Sequence, residues 1–232
     1  MGCSSEKHIE TKNKKKPNSK KKNEENKKEE EIKENEEINN KKEELILKYE
    51  TKNDDEEVLL LGNDVDEYDD FSIPFFEREN NKFDLYENDT LIDSCIFTFK
   101  KKGIHTIRME FKEKITDFSY MFYNCDSLKS ITGYVDTSNS RNFSWVFNNC
   151  NFLVDISSLK FWDIRNAFSF NYMFNECTSL SDISPLKKWD VGGEKSFISM
   201  FGGCYSLKDI SALEGWDVSN GNCFNYMFWR KY

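Results

Sequence analysis

One unit recurs through the C-terminal half of this chain and limits what the chain can fold into. Its third copy reads Phe170-Asn171-Tyr172-Met173-Phe174-Asn175-Glu176-Cys177-Thr178-Ser179-Leu180, followed by Ile183, Leu186 and Trp189-Asp190-Val191. Alignment on the first Phe brings Phe118, Phe143, Phe170, Phe197 and Phe224 into register at steps of 25, 27, 27 and 27 residues. The same register carries Met121, Val146, Met173, Met200 and Met227, then Phe122, Phe147, Phe174, Phe201 and Phe228. Cys125, Cys150, Cys177 and Cys204 follow, with Leu128, Leu153, Leu180 and Leu207, and Ile131, Ile156, Ile183 and Ile210 behind them. The central copies add the pairs Trp162-Asp163, Trp189-Asp190 and Trp216-Asp217. A fixed period in the twenties marks a repeat array, because one unit cannot bury its own apolar face and must stack on the next.

Within a copy, Phe, Met, Phe and Cys fall at i, i+3, i+4 and i+7, which predicts a short helix with one apolar stripe. Asp117, Asn142, Ser169 and Ser196 precede the first Phe and read as N-caps of that helix. The Leu-x-x-Ile-x-x-Leu half predicts a short extended segment, so that stacked copies form a ladder of short parallel strands. The Trp is a buried plug; the Asp after it either bonds local backbone in a turn or joins an exposed acidic column. The expected fold class is therefore an α/β repeat solenoid, leucine-rich-repeat-like, with a short helix and a short strand per repeat of about 27 residues. A β-rich N-terminal cap and a disordered N-terminal tail complete it. The boundaries are a tail over residues 1–57, a cap over 58–115, and repeats over 116–232 comprising four full copies and a partial fifth.

The phrases Met-Phe-x-x-Cys-x-Ser-Leu-x-x-Ile and Trp-Asp-Val-x-x-x-x-x-Phe-x-x-Met-Phe resemble the BspA-type leucine-rich-repeat family. They are closest to its subgroup of surface-protein repeats from mycoplasmas, other bacteria and protists. The resemblance runs from Phe118 to Phe228. It implies a curved or elongated leucine-rich-repeat-like solenoid used for adhesion or protein interaction, with no catalytic residues. The first copy departs from the pattern: it is two residues short and has Val135 where the others have Trp. The fifth copy reaches Phe228-Trp229-Arg230-Lys231-Tyr232 without its Cys and Leu; either Trp229 and Tyr232 close that end or the repeat array is cut short there.

The tail is rich in Lys, Glu and Asn and poor in apolar residues, so it cannot offset its ordering entropy and is predicted disordered. It opens Met1-Gly2-Cys3-Ser4-Ser5-Glu6, with no apolar run of the kind a secretory signal needs. Met-Gly-Cys matches dual acylation, with myristate on Gly2 and palmitate on Cys3, although Ser5 stands one place before the favoured hydroxyl position. Lys7, Lys12, Lys14, Lys15, Lys16, Lys20, Lys21 and Lys22 then face a single carboxylate, Glu10. One acyl chain holds a membrane only marginally; a second chain or a polybasic segment makes the anchor stable. Residues 29–70 reverse the sign, with Ile32, Ile38, Leu45, Ile46 and Leu47 as one face of a weak helix. Such an acidic spacer would hold a folded domain off an anionic membrane surface. In the cap, Val58 to Leu61, Phe83 to Tyr86, Cys95 to Phe99 and Ile107 to Phe111 read as strands.

No Cys-x-x-Cys pair suggests a metal site, and the ladder cysteines read as free buried thiols. His8 and His105 are the two histidines, and neither lies in the repeats to serve as a base. Phosphate loops and nucleophile elbows are missing from the sequence. Three-fold repetition of Trp-Asp points to structure, since an active site needs one carboxylate pair. Nucleic-acid binding is disfavoured because the Lys run lacks interleaved aromatics or Arg and the net charge is −9. The expectation is thus a non-enzymatic protein-interaction module without cofactor or metal, lipid-anchored at the cytoplasmic face of a membrane. The alternative is a BspA-like surface or adhesion protein outside the cell. Variable positions between ladder residues, such as Tyr123, Lys160, Lys187 and Glu214, are the expected partner contacts.

Overall fold

The chain was studied as a computed structural model that describes residues 41–62 and 74–230. Its strands are β1 (Glu44–Thr51), β2 (Glu56–Leu59), β3 (Phe83–Glu87), β4 (Thr90–Ile92), β5 (Ile96–Phe99), β6 (Gly103–Phe111) and β7 (Leu128–Tyr134). One short helix, α1 (Phe75–Glu79), lies between β2 and β3. Five strands form an antiparallel sheet in the order β4-β3-β6-β1-β7, and β2 pairs with β5 in a second antiparallel sheet. β1 explains why the sheet exists: Leu45, Leu47, Tyr49 and Thr51 alternate inward along it while Glu44, Ile46, Lys48 and Glu50 do not. Tyr49 reaches the Leu60 carbonyl at 2.5 Å, so its buried hydroxyl is satisfied.

That strand corrects the expected tail. Residues 44–51 and 56–57 fall within the segment expected to be disordered as far as residue 57, yet β1 is paired on both sides, by β6 and β7, and β2 begins at Glu56. Leu45, Ile46 and Leu47 are in a strand, not on a helix face. The other expected cap strands appear as β2, β3, β5 and β6, with residues 100–102 turning between the last two.

The expected α/β repeat solenoid is not the fold. Among the described residues the helix α1 lies outside the repeats, and the named strands make two antiparallel sheets. Where a helix was expected, the chain makes successive i→i+3 turns: Met121, Tyr123 and Cys125 donate to the carbonyls of Phe118, Tyr120 and Phe122 at 3.1 Å each. The second residue after each first Phe has positive φ, at Tyr120, Trp145, Tyr172, Ser199 and Tyr226, and so does the sixth, at Asn124, Asn149, Glu176 and Gly203. A right-handed helix cannot pass through such residues. The expected N-caps do something related but more local: Asp117 Oδ1 accepts from Ser119 N at 2.8 Å and Asn142 Oδ1 from Ser144 N at 3.1 Å, each closing a two-residue turn. Only the first copy's second half is a strand, β7. The later copies have 3-10 turns at Ser157–Phe161, Ser184–Leu186 and Ser211–Leu213.

The freed backbone groups bind the neighbouring copy. Phe143, Trp145, Phe147 and Asn149 each donate at 2.9 Å to the carbonyls of Ser169, Asn171, Met173 and Asn175. Of the intervening N–H groups, those of Asn148 and Cys150 close turns onto the Trp145 and Phe147 carbonyls, and that of Ser144 bonds Asn142 Oδ1. Donors thus largely alternate between the copy's own turn and the next copy. Ring stacking follows: Phe118, Phe143, Phe170 and Phe197 succeed one another at 5.6 to 5.7 Å, and Phe122, Phe147, Phe174 and Phe201 at 5.4 to 5.5 Å. These eight rings are buried.

The cap closes the first copy. Gly62 N donates to the Met121 carbonyl at 2.9 Å, and a Cβ on Gly62 would stand 2.0 Å from the Tyr120 carbonyl oxygen, so only glycine fits there. Arg78 Nη2 donates to the carbonyls of Asp117 and Ser119, both at 3.1 Å. At the other end Phe224 and Phe228 continue the ladder, stacked on Phe197 and Phe201 at 5.3 and 5.5 Å, but they are exposed, the latter at 42%. Trp229 is also exposed and does not close the stack; Tyr232 lies outside the described residues.

Position in the stack therefore predicts the cost of truncation. Phe174→Ala empties a site enclosed on both sides and should cost about 3–5 kcal/mol, whereas Phe228→Ala should cost less than about half of that. Urea unfolding of the two variants checks the ranking; equal losses would contradict the buried stack.

Candidate interaction surface

The ladder cysteines illustrate how the stack specifies its residues. Cys150, Cys177 and Cys204 each point a thiol at a carbonyl of the preceding copy, Phe122, Phe147 and Phe174, at 3.1, 3.0 and 3.0 Å. All are free thiols. Burial pushes the thiols of Cys125, Cys150 and Cys177 well above the ordinary range and that of Cys204 from 9.0 to about 12. A thiolate there would be desolvated, so these groups are unsuited to nucleophilic or redox work. Cys223, on the fifth copy, is only half-buried.

The Trp-Asp pairs resolve in favour of local turns. Trp162 and Trp189 are buried, and the indoles of Trp189 and Trp216 donate to the Leu159 and Leu186 carbonyls at 2.8 and 3.1 Å. Asp163, Asp190 and Asp217 each accept the N–H two residues on, from Arg165, Gly192 and Ser219 at 3.2, 3.2 and 3.1 Å. The indole of Trp162 is buried without an acceptor. The copy before it is the one that is two residues short. Lys195 escaped sequence reading altogether. Its ammonium is buried and donates to the carbonyls of Ile164, Arg165 and Ala167 at 3.2, 3.1 and 2.7 Å, while desolvation lowers its pKa.

Two regions of the stack stand out. One runs along its side, at the positions of positive φ, where Trp145 and Tyr172 are half-buried and Tyr120, with Tyr123 beside it, is buried. Tyr120 lies on Trp145 at 6.0 Å and Trp145 on Tyr172 at 4.1 Å, with Tyr123 edge-on to the first two. Left-handed backbone is uncommon for bulky residues and costs roughly 1–3 kcal/mol at each position. The cross-copy hydrogen bonds and ring contacts hold it. Ser199 interrupts this column, and Gly202 and Gly203 follow. There the side chains of Asn175 and Glu176 lie against the glycines, where a Cβ would meet them at 2.6 and 2.5 Å.

The other surface is the end of the stack. Phe197, Ser199, Phe201 and Gly203 donate to the carbonyls of Cys223, Asn225, Met227 and Trp229 at 2.8 to 2.9 Å. The equivalent donors of the fifth copy, Phe224, Tyr226 and Phe228, have no acceptor among the described residues. Phe224, Tyr226, Phe228 and Trp229 are exposed, as are Ile210 and Val218 on the fourth copy. Sequence periodicity placed Phe224, Phe228 and Ile210 in the ladder register.

Of the expected contact residues, Lys160, Lys187 and Glu214 are exposed, but Tyr123 is buried and belongs to the core. Gly2, Cys3 and Lys7, Lys12, Lys14, Lys15, Lys16, Lys20, Lys21 and Lys22 lie outside the described residues, as does His8. His105 Nε2 sits 3.0 Å from Thr51 Oγ1 and its ring stacks on Phe99 at 3.9 Å. Among the described residues no group of three or more His, Cys, Asp or Glu is placed to hold a metal ion, and no helix is long and apolar enough to cross a membrane.

The geometry defines a repeat protein of stacked turns joined to an antiparallel β cap. Residues 94–209 and 157–232 match the family described as Mycoplasma protein of unknown function, DUF285; together they span more than half the chain, which belongs to that family. No curated protein matches the chain, and no solved structure does.

Alkylation separates the two kinds of thiol. Iodoacetamide on the folded chain at neutral pH should label Cys223 and leave Cys125, Cys150, Cys177 and Cys204 unmodified, with all of them labelled after denaturation, as read by peptide mass mapping. Raised folded-state pKa values also mean that the thiols stabilise the fold fully below their unfolded pKa and lose that contribution as pH rises through the folded values. The unfolding midpoint should accordingly fall between pH 9 and about 12.

Proposed function

We propose that this chain is a non-enzymatic protein-interaction module, tethered to a membrane by acylation of Gly2 and Cys3 together with the Lys7 to Lys22 segment. What carries the interaction reading is the regular stack of repeats, which holds Lys160, Lys187 and Glu214 exposed at matching positions between ladder residues. What supports the tether is the coincidence in sequence of an acylation signal with a polybasic segment, the two elements that stable anchoring requires. The residues that would contact a partner are the exposed Lys160, Lys187 and Glu214.

A second reading has its own support. The resemblance to BspA-type surface repeats, together with membership of a family described as Mycoplasma protein of unknown function, favours an adhesion protein displayed outside the cell. The readings part on lipid and location. Cells fed a myristate analogue should label the wild-type chain and not Gly2→Ala, and the labelled chain should float with vesicles containing anionic lipid. An unlabelled chain recovered from the medium would sink the tether and leave the surface reading standing.

A further inference from the structure

We infer that the flank of the cap sheet, between α1 and the β3–β4 hairpin, is a docking site for an extended segment of a partner protein that carries an arginine. This deepens the interaction reading above and rests on it, and it adds a site on the cap to the contacts on the stack. A cavity of about 220 Å³ lies there. Buried Phe83, Leu85 and Ile92 and half-buried Phe76 give it an apolar lining, and exposed Asn80 and Asp93 add polar groups.

The backbone fixes where the cavity runs. Asn88 and Asp89 have φ of 46° and 64°, a two-residue turn that makes Glu87 and Thr90 a hydrogen-bonded pair. Bonded pairs alternate along an antiparallel ladder, so Leu85 and Ile92 form the next one, and the N–H and carbonyl of Leu91 point away from β3. β4 is an outer strand of its sheet, and neither group has a backbone partner among the described residues. Leu91, Ile92 and Asp93 are consecutive, so their side chains alternate between faces, yet all three line the cavity. The cavity therefore follows the open flank of β4 and is not confined to one face of the sheet. Leu91 is 58% exposed beside it.

Size, backbone and charge choose the occupant. Sites for small molecules and cofactors usually measure about 300–1,000 Å³, whereas an apolar cavity of about 150 Å³ already holds a benzene ring. The space beside β4 thus suits one large side chain and is small for a cofactor. Pairing with the outward N–H and carbonyl of Leu91 calls for an extended backbone, which adds to the sheet edge as a strand. Of the two carboxylates in the lining, Asp84 is held by Lys112 at 2.7 Å, and Asp93 has no ion pair among the described residues. A long apolar stem with a cationic end answers both features, the stem lying against Phe76 and Phe83 and the head at Asp93. Arginine fits better than lysine, because a guanidinium gives a carboxylate two parallel hydrogen bonds and lies flat on aromatic rings.

Short synthetic peptide pools, with Val and Thr randomised around a fixed central Arg, Phe or Glu, test this on the full-length, 15N-labelled chain. The Arg pool should shift the Leu91 and Asp93 amides saturably and slow exchange of the Leu91 amide. The Phe pool should bind about tenfold more weakly, and the Glu pool should leave both amides unmoved. Asp93→Asn should weaken the Arg pool about tenfold and remove its advantage over the Phe pool. Leu91→Pro, at an edge position where proline is tolerated, removes the outward donor and should weaken the Arg and Phe pools alike. Unmoved Leu91 and Asp93 amides at the highest concentration of Arg pool overturn the proposal, as does a Glu pool that binds as well as the Arg pool. Shifts confined to the neighbourhood of Lys160, Lys187 and Glu214 overturn this site and leave the broader interaction reading intact, so the two fail separately. Shifts of Leu91 that grow with chain concentration in the absence of peptide would make a second copy the occupant and equally overturn it.

Discussion

The structure depends on how backbone donors are divided. In the Phe-to-Cys stretch of the first four repeats most N–H groups alternate between closing a turn within their own copy and reaching the carbonyls of the next copy. A helix would consume all of them internally and leave copies joined by side chains alone. The turn pattern gives a bonded ladder along the stack without extended strands, and it fixes the separation at which the Phe rings pack. Ring spacings of 5.4 to 5.7 Å from Phe118 to Phe201 follow from that regularity. Strain from positive φ at residues as large as Trp145 and Tyr172 is tolerated because the neighbouring copy holds both the backbone and the ring.

Each conserved-looking row in the register has a separate physical task. The Cys row supplies a small thiol donor to a carbonyl that already accepts an amide. The Trp row fills volume and anchors to the previous copy's Leu carbonyl. The Asp rows turn the chain: Asp155, Asp182 and Asp209 accept from Ser157, Ser184 and Ser211 just before the 3-10 segments. The cap adds the complementary half, supplying Gly62 and Arg78 donors where the first copy has no predecessor.

Sequence reading found the rows, their register and their burial through the third copy and the first half of the fourth, since period and apolarity survive any local geometry. It misread the local geometry itself. Apolar residues at i, i+3, i+4 and i+7 over eight positions fit a helix and a run of tight turns equally well. The distinguishing signal was Asn or Gly at the sixth position, as in Asn124, Asn149 and Gly203, residues that tolerate left-handed backbone. β1 was hidden by its surroundings: the alternation of Leu45, Leu47 and Tyr49 sits among Lys and Glu, and Ile46 interrupts it. The exposed end could not be read because Phe224 and Phe228 are identical in type to their buried counterparts. Whether a ladder residue is covered depends on what lies beyond it.

A molecule whose copies grip only their neighbours responds to pulling in a particular way. Tension along the stack is met copy by copy, because each coil is bonded to its neighbours rather than to distant ones. Each coil let go would release 27 residues, a gain in length of roughly 90 Å, before the next coil bears the load. The β cap, bonded through β1 to strands on both sides, would yield last. A stack built this way lengthens in steps while its cap stays folded.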